Sequence, residues 1–244
     1  MRKIIVILII AIKGLMVYAD VFDDFTDFKV KSYNTSIKSI DIDYFYKENI
    51  KQIHALSEEE QLALENMILL EKINLLERED SVKLLFAQNR KCDTFIGNIP
   101  YRNFSSVLLS SIADIKSRYL SFLSGRAVIE ESQRAKECYS IAIKKDKHNI
   151  NAYIGYSLWL YFAPAISGGG VNSAINILKK AEKIAESNNQ KYLVSLYLSQ
   201  LYLCTNNNKK TEEYLKKAHE LIDNETFSLY LKNRISLKKP FFEQ

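Results

Sequence analysis

The side chains that could carry acid–base or metal chemistry are scattered along the sequence. His54, His148 and His219 are far apart, and none has a second histidine, a cysteine or an acid at metal-binding spacing. No serine or cysteine lies in a nucleophile elbow, and acids such as Glu58–Glu60 fall on helix faces that should be solvated. The sequence therefore predicts no catalytic constellation, no bound metal and no cofactor, and we do not expect an enzyme.

The three cysteines, Cys92, Cys138 and Cys204, are widely spaced and odd in number. This spacing matches neither a metal-binding motif nor a disulfide framework. We predict that each cysteine is a small buried side chain. One bridge between two of them stays open as an alternative, because a sequence gives no distances.

A glycine-rich stretch, Ser167–Gly170, lies between two predicted helices. Free backbone N–H groups at a helix start can bind an anion. The stretch lacks the Lys and Ser/Thr pair of a P-loop, however, and no strand precedes it. An interhelical turn is the favoured interpretation, with Asn172 or Ser173 as the cap of the next helix.

The elements that must position these residues are helices. The 244-residue chain has only seven glycines and three prolines, and neither type occurs between Leu15 and Ile96. An all-β fold needs many tight turns, so this distribution favours helices. Hydrophobic residues make up 47% of the chain, which is enough to build a core.

The N-terminus has the pattern of a secretory signal peptide. Arg2 and Lys3 precede the apolar run Ile4–Ile12, and Ala19 suits cleavage before Asp20. The run is shorter than the roughly 20 apolar residues that a membrane span needs. An uncleaved membrane anchor is the alternative.

Cleavage would leave a nearly neutral chain. It would remove three of the 34 basic residues and no acid, so 31 basic and 29 acidic residues would remain, a net charge of +2. This balance gives no electrostatic footprint for nucleic acid, which we exclude as a partner.

The N-terminal half shows helical patterns of unequal strength. Ser57 and Glu60 fit a capping box for a helix that runs to about Glu79. The other predicted segments are a leading arm over residues 20–40, a helix over residues 41–56, a short helix over Ser81–Lys91 and a loop over Cys92–Arg102.

Three later helices share a frame of small, large and small residues at positions i, i+4 and i+7. The sets are Ala135, Tyr139 and Ala142; Ala174, Leu178 and Ala181; and Thr211, Leu215 and Ala218. Each helix follows another apolar helix, over residues 106–124, 151–163 and 191–205 respectively. The repeated unit is therefore a helical hairpin.

This pattern resembles the tetratricopeptide repeat (TPR), and residues 104–224 carry the resemblance. It implies an all-α fold whose TPR-like hairpins form a short right-handed superhelix, an α-solenoid. Residues 1–19 would be the signal peptide, residues 20–103 an N-terminal helical segment, and residues 225–244 a capping helix and tail.

A narrower resemblance comes from the insertion of Pro164 and Gly168–Gly170 between two helices of an exported repeat protein. In this respect the chain is similar to the T component of TRAP transporters. That resemblance implies a small-ligand-binding role and requires an enclosed pocket near Trp159 and Pro164.

Aromatic residues cover most of the circumference of the helix over residues 151–163, so some of them must face outward. The TPR resemblance implies that the first helix of each hairpin lines a concave surface. The predicted binding residues are Arg118, Phe122, Asn151, Ile154, Leu158, Trp159, Tyr161, Leu196 and Gln200. The alternative is that these residues pack against another helix or a second subunit.

We therefore expect an exported, non-enzymatic scaffold, located in the bacterial periplasm, that binds a protein segment or a transporter component in a concave groove. The alternative is the small-ligand-binding T component of a TRAP-type transport system. A homo-oligomer stays open, and membrane association is expected only if the signal segment is not cleaved.

Overall fold

The structure, a computed structural model, describes residues 21–31, 39–222 and 225–243. Every regular element in these ranges is helical, which confirms the all-α prediction. The helices are α1 (residues 21–31), α2 (Ser39–Glu48), α3 (Ile50–His54), α4 (Glu58–Ile73), α5 (Arg78–Ile96), α6 (Ser106–Tyr119), α7 (Arg126–Lys145), α8 (Ile150–Phe162), α9 (Val171–Ile184), α10 (Asn188–Cys204), α11 (Asn208–Leu221) and α12 (Glu225–Ser236). The predicted signal peptide lies outside the described residues.

Eight helices form four hairpins, α4–α5, α6–α7, α8–α9 and α10–α11. Both helices of each hairpin pack against the leading helix of the next one. We call α4, α6, α8 and α10 the first helices and α5, α7, α9 and α11 the second helices. The three predicted hairpins are present, and α4–α5 adds a fourth upstream of them.

The second helices bury the predicted frame. Ala135, Tyr139 and Ala142 are buried on α7, and the equivalent three residues are buried on α9. Helix α11 differs, because Tyr214 is buried while Leu215 is only half-buried. Small residues in this frame allow the helices to approach closely, and the larger one fills the groove of its neighbour.

Side-chain caps fix where several helices begin. The predicted capping box of α4 is confirmed, since Glu60 N–H donates to Ser57 Oγ (3.4 Å) and Ser57 N–H donates to Glu60 Oε2 (2.8 Å). Ser187 and Gln190 form a second box at the start of α10. These contacts satisfy backbone donors that have no partner within the helix.

The N-terminal half corrects several predicted boundaries. Helix α4 ends at Ile73, not near Glu79, and α5 runs on to Ile96, so Cys92 is helical and buried rather than part of a loop. The predicted arm contains helix α1, and the helix predicted over residues 41–56 breaks at Asn49 into α2 and α3. The buried residues of α5, which are Leu85, Asn89, Cys92 and Ile96, recur at helical spacing, so the helix continues through most of the segment predicted as a loop.

The turn between α8 and α9 is compact and depends on glycine. A Cβ atom on Gly169 would lie 2.0 Å from the carbonyl oxygen of Ala163. Gly170, with φ of 113°, is the N-cap residue of α9, so the predicted cap by Asn172 or Ser173 is wrong. The interhelical-turn interpretation itself is confirmed.

The core consists of one large apolar cluster along the hairpins and two smaller ones. In one of these, at the N-terminal end, Val21 and Phe25 of α1 pack with residues of α2, α3 and α4. The other joins Ile73, Leu85 and Ile115 of α4, α5 and α6. All three cysteines are free thiols; Cys92 and Cys138 are buried as predicted, whereas Cys204 is half-buried.

Within the described part of the chain, no helix combines the length and apolar character required to cross a bilayer.

Candidate protein-binding groove

The first helices form a continuous face, because α4 contacts α6, α6 contacts α8 and α8 contacts α10. We call this the first-helix face. Two segments of the same chain lie on it. One is helix α1, and the other is residues Pro240–Glu243, which we call the tail.

Helix α1 crosses the first-helix face between distant hairpins. Lys29 forms an ion pair with Glu71 of α4 (2.7 Å), and Asn189 at the start of α10 donates a side-chain hydrogen bond to Asp27. Burial lowers the pKa of Lys29, but the charge and hydrogen bond of Glu71, together with the charges of Tyr197 and Asp114, raise the pKa overall. Because α1 reaches both the first and the last hairpin, it covers part of the face between them.

The tail reaches the face through a turn at the end of α12. Lys238 N–H donates to Ile235 O (2.9 Å) and Lys239 N–H donates to Arg234 O (3.0 Å), the paired pattern of a Schellman motif. Lys238 has φ of 54°, a left-handed conformation that usually requires glycine. Pro240 then follows, so the helix cannot continue and the chain turns back.

Aromatic side chains make the apolar contacts of the tail. The ring of Phe241 lies 5.1 Å from that of Tyr197, and the ring of Phe242 lies 5.3 Å from that of Tyr161. Phe227 of α12 packs edge-on against Phe241 at 5.9 Å. Such tilted and edge-on pairs add to the stabilisation that burial alone gives.

Polar groups hold the tail at both its backbone and its acid. Gln200 is fully buried, and its Oε1 accepts the N–H of Phe241 at 3.1 Å. Arg234 donates to the carbonyl oxygens of Pro240 (2.6 Å) and Glu243. Tyr161 O–H donates to the Glu243 carboxylate. We define the tail groove by the residues that make these contacts: Tyr161, Tyr197, Gln200, Phe227 and Arg234.

The structure brings two of the predicted binding residues together, since Tyr161 and Gln200 both contact the tail. Burial, reinforced by Glu243, raises the pKa of the Tyr161 phenol, which therefore stays protonated as a hydrogen-bond donor. On α8, Ile154 is buried two turns before Tyr161, and Leu158 is half-buried one turn before it.

Two other predicted residues lie in the core rather than in the tail groove. Trp159 is 5% exposed, stacks on Tyr156 and lies beneath the ammonium of Lys136 on α7. Leu196 is fully buried and lines a contact with α11 and α12. Helices α8 and α10 are apolar on most of their circumference. The sequence alone therefore does not show which of their residues pack in the core and which face the tail groove.

The remaining predicted residues lie elsewhere. Arg118 donates to Asn74 Oδ1 (3.3 Å), and Phe122 lies 6.3 Å from the ring of Phe86 on α5. These contacts place both residues where α4, α5 and α6 meet. Asn151 is exposed at the start of α8. The structure therefore does not assemble the nine predicted residues into one site.

Tyr197, Arg234 and the tail were not predicted as parts of a site. The available signals were the three-residue spacing of Tyr197 and Gln200, which places them on one helix face, and the adjacent Phe241 and Phe242 in a polar terminus. Neither signal indicates which distant segment it meets.

Charged groups inside the hairpins form structural contacts. Lys116 on α6 is fully buried and pairs with Asp93 (2.7 Å) and Glu131 (2.9 Å), which joins α5, α6 and α7. Tyr139 O–H donates to Asp114 Oδ1 at 2.6 Å. Burial raises the pKa of Asp114 to about 7, although this hydrogen bond and the charge of Lys29 oppose the shift.

The two buried cysteines are not activated as nucleophiles. Burial raises the pKa of the Cys92 thiol to about 11 and of the Cys138 thiol to about 12, so neither forms a nucleophilic thiolate at neutral pH. Among the described residues, no three histidine, cysteine or acidic side chains cluster as metal ligands would.

Comparison with known proteins supports the architecture. No protein-family model matches the sequence, and no curated protein matches it significantly. A crystal structure of a thermophilic TPR protein from Thermus thermophilus is similar, with a TM-score of 0.56 and 14% sequence identity over 92% of this chain and 98% of that chain. Together with the stacked hairpins, this similarity shows that the chain has a tetratricopeptide-repeat-like fold.

Proposed function

We propose that this chain is a non-enzymatic scaffold that binds a segment of another protein on its first-helix face. The observation that carries the proposal is that this face already holds two polypeptide segments, α1 and the tail. Both are segments of the chain itself. A surface that binds the backbone and side chains of one segment has the chemistry to bind those of another.

The polar groups of the tail groove favour a polypeptide partner. Gln200 accepts a backbone N–H, and Arg234 donates to two backbone carbonyls. These groups recognise the main chain and leave recognition of side chains to Tyr161 and Tyr197. This combination of main-chain hydrogen bonds and side-chain pockets is typical of peptide recognition.

Site-specific photo-crosslinking in the native cell tests the proposal. Phe162 adjoins the tail, with its ring 6.4 Å from that of Phe242, and is 63% exposed. A photoreactive phenylalanine at position 162 should capture a defined protein. Ile129 on second helix α7 is 60% exposed and gives a matched control position. Equal capture from both positions, or none from position 162, would contradict binding on the first-helix face.

Export and a role beside a transporter are finer parts of the proposal. They are supported by the signal-like residues 1–19 and by the resemblance of the turn after α8 to that of a TRAP T component. We expect N-terminal sequencing of the exported protein to begin at Asp20. Retention of residues 1–19 on that protein would show that the segment stays attached.

A small-ligand carrier is the second candidate function, and one observation favours it. The buried indole N–H of Trp159 has no hydrogen-bond partner among the described residues. The Lys136 ammonium lies over the Trp159 ring and donates to the Ser167 carbonyl in the glycine-rich turn, so Trp159 is close to that turn. Native mass spectrometry of the purified chain should reveal a bound metabolite if this function holds. A ligand lost in Trp159→Phe would support this candidate, and a ligand-free protein would exclude it.

A further inference from the structure

The tail presents three consecutive side chains to the groove in a fixed order. Phe241 packs against Tyr197 and Phe227, and Phe242 packs against Tyr161. These residues form a turn that is closed by a hydrogen bond from Glu243 N–H to Pro240 O (3.2 Å). The two phenylalanine rings pack edge-on against each other at 5.6 Å, and both lie against Tyr197. The groove therefore holds them as one aromatic pair.

The third side chain is an acid, and the groove has a donor for it. Tyr161 O–H donates to the Glu243 carboxylate while its ring packs against Phe242. One groove residue thus contacts both an aromatic ring and the acid that follows it. A hydrogen bond to an ionised acceptor is stronger than one to a neutral acceptor.

The tail is built in a way that permits it to leave. Residues 241–243 are all half-buried rather than enclosed. A single turn connects them to α12, and Lys238 holds the left-handed conformation there in place of glycine. Exchange of the tail requires no unfolding of a hairpin, because its hydrogen bonds are made to side chains of α8, α10 and α12 and not to the backbone of these helices.

We infer that the tail groove binds a partner segment that carries two adjacent aromatic residues followed by an acid, and that residues 240–243 are an internal copy of this ligand. The inference rests on the proposed function and names the partner's chemistry. A partner must displace the tail before it binds. A tethered segment competes at an effective concentration on the order of millimolar, so the free groove should bind much more tightly than the covered one.

Peptide binding to an opened chain tests the inference. The full-length chain with Phe241→Ala and Phe242→Ala frees the groove without shortening the protein. The probe is a fluorescent peptide of residues 239–244 (KPFFEQ), and fluorescence anisotropy measures its binding. We expect the opened chain to bind the peptide at least about tenfold more tightly than the unchanged protein, because the intact tail competes for the groove.

Matched peptides and a matched variant identify the contacts. A peptide with both phenylalanines changed to alanine should not bind the opened chain. The Glu243→Gln peptide should bind about fivefold more weakly, as expected for loss of one charge-assisted hydrogen bond. Tyr161→Phe in the opened chain should weaken the unchanged peptide but add little to the loss with the Glu243→Gln peptide, because both changes remove the same bond.

A chain that lacks residues 240–244 provides a second opened form, and far-UV dichroism shows whether each form stays helical. The inference is overturned if folded opened forms bind the peptide no better than the alanine peptide. It is also overturned if the unchanged protein is a dimer whose dissociation accompanies peptide binding, since the tail would then belong to a second copy.

The crosslinking experiment separates this inference from the proposed function. A partner captured at position 162 whose crosslinked segment lacks paired aromatics and an acid would overturn the inference and leave the scaffold function intact. Tight peptide binding without any captured partner would overturn the scaffold function and leave the groove chemistry in place.

Discussion

Helices α10 and α11 form one hairpin but differ in burial. Helix α10 buries every residue from Tyr192 to Leu203, twelve of its 17 residues, whereas α11 buries only Thr211, Tyr214 and Ala218 among its 14. The second helix therefore has one partner surface and one solvated face. The first helix is covered on both sides.

The difference shows what covers the first helices. One side of α10 packs against α9 and α11. On its other side, Tyr197 and Gln200 contact the tail, and Asn189 contacts α1. The apolar residues of the first helices therefore have two roles. One side of these helices packs within the hairpin stack, and the other side contacts α1 or the tail, which lie outside the stack.

The largest expected effect lies on a second helix and would sharpen this comparison. Leu178 is fully buried on α9, so Leu178→Ala should lower the free energy of unfolding by about 2 to 5 kcal/mol through lost burial and a cavity. The equivalent Leu215 on α11 is half-buried, so Leu215→Ala should cost clearly less. Urea titration measures both variants, and equal losses would contradict the assigned burial.

A smaller effect is expected where α8 meets α6 and α7. A Cβ atom on Gly155 would lie 2.2 Å from Asp114 Oδ1 and 2.6 Å from Tyr139 Cε1. Gly155→Ala should therefore destabilise the protein by about 1 to 3 kcal/mol through overpacking. Adding Asp114→Ala removes the nearest atom and should restore part of the loss in a double-mutant cycle. If the losses of stability from Gly155→Ala and Asp114→Ala simply add, the overlap between the new Cβ atom and Asp114 is not the cause of the destabilisation.

Asp114 should also give this inner contact a pH dependence. Its pKa rises from 3.8 to about 7 on folding, so between these values the folded chain binds more protons than the unfolded chain. The Asp114 contribution to stability should therefore fall as pH rises from about 4 to 7, and Asp114→Asn should remove that component. Urea titrations of both proteins across this range measure the difference. Parallel pH profiles would contradict the assignment.

The smallest expected effect concerns the turn that directs the tail. Lys238 has φ of 54°, and glycine adopts this conformation without a Cβ clash. Lys238→Gly should raise the free energy of unfolding by about 0.5 kcal/mol, since relief of the clash exceeds the added freedom of the unfolded chain. In an otherwise unchanged protein, Lys238→Gly should also hold the tail in the groove more firmly. This variant should therefore bind the peptide more weakly than the unchanged protein does. Lys239→Gly, one residue later, gives the matched control and should not stabilise the protein.

The sequence by itself determined three of the four helical hairpins. The frame of Ala135, Tyr139 and Ala142, repeated in α9, predicted which residues of the second helices are buried. The capping box at Ser57 likewise fixed the start of α4. These features are local, because residues three and four apart share one helix face and a cap lies within one turn of the helix that it starts.

Only the tertiary structure decided which side of each first helix meets the hairpin stack. Trp159 and Tyr161 are two residues apart and were both predicted to bind, yet Trp159 faces Lys136 of α7 and Tyr161 faces the tail. A helix that is apolar on all sides gives no periodic signal from which to separate these roles.

The occupants of the first-helix face were also beyond the sequence. Tyr161 and Glu243 are 82 residues apart, and Asn189 and Asp27 are 162 residues apart. No spacing rule connects residues at such separations, because their contact depends on how four stacked hairpins bring helix α1 and the tail to one face. Local periodicity therefore determined the repeats, and only the folded arrangement determined the groove and the segments that fill it.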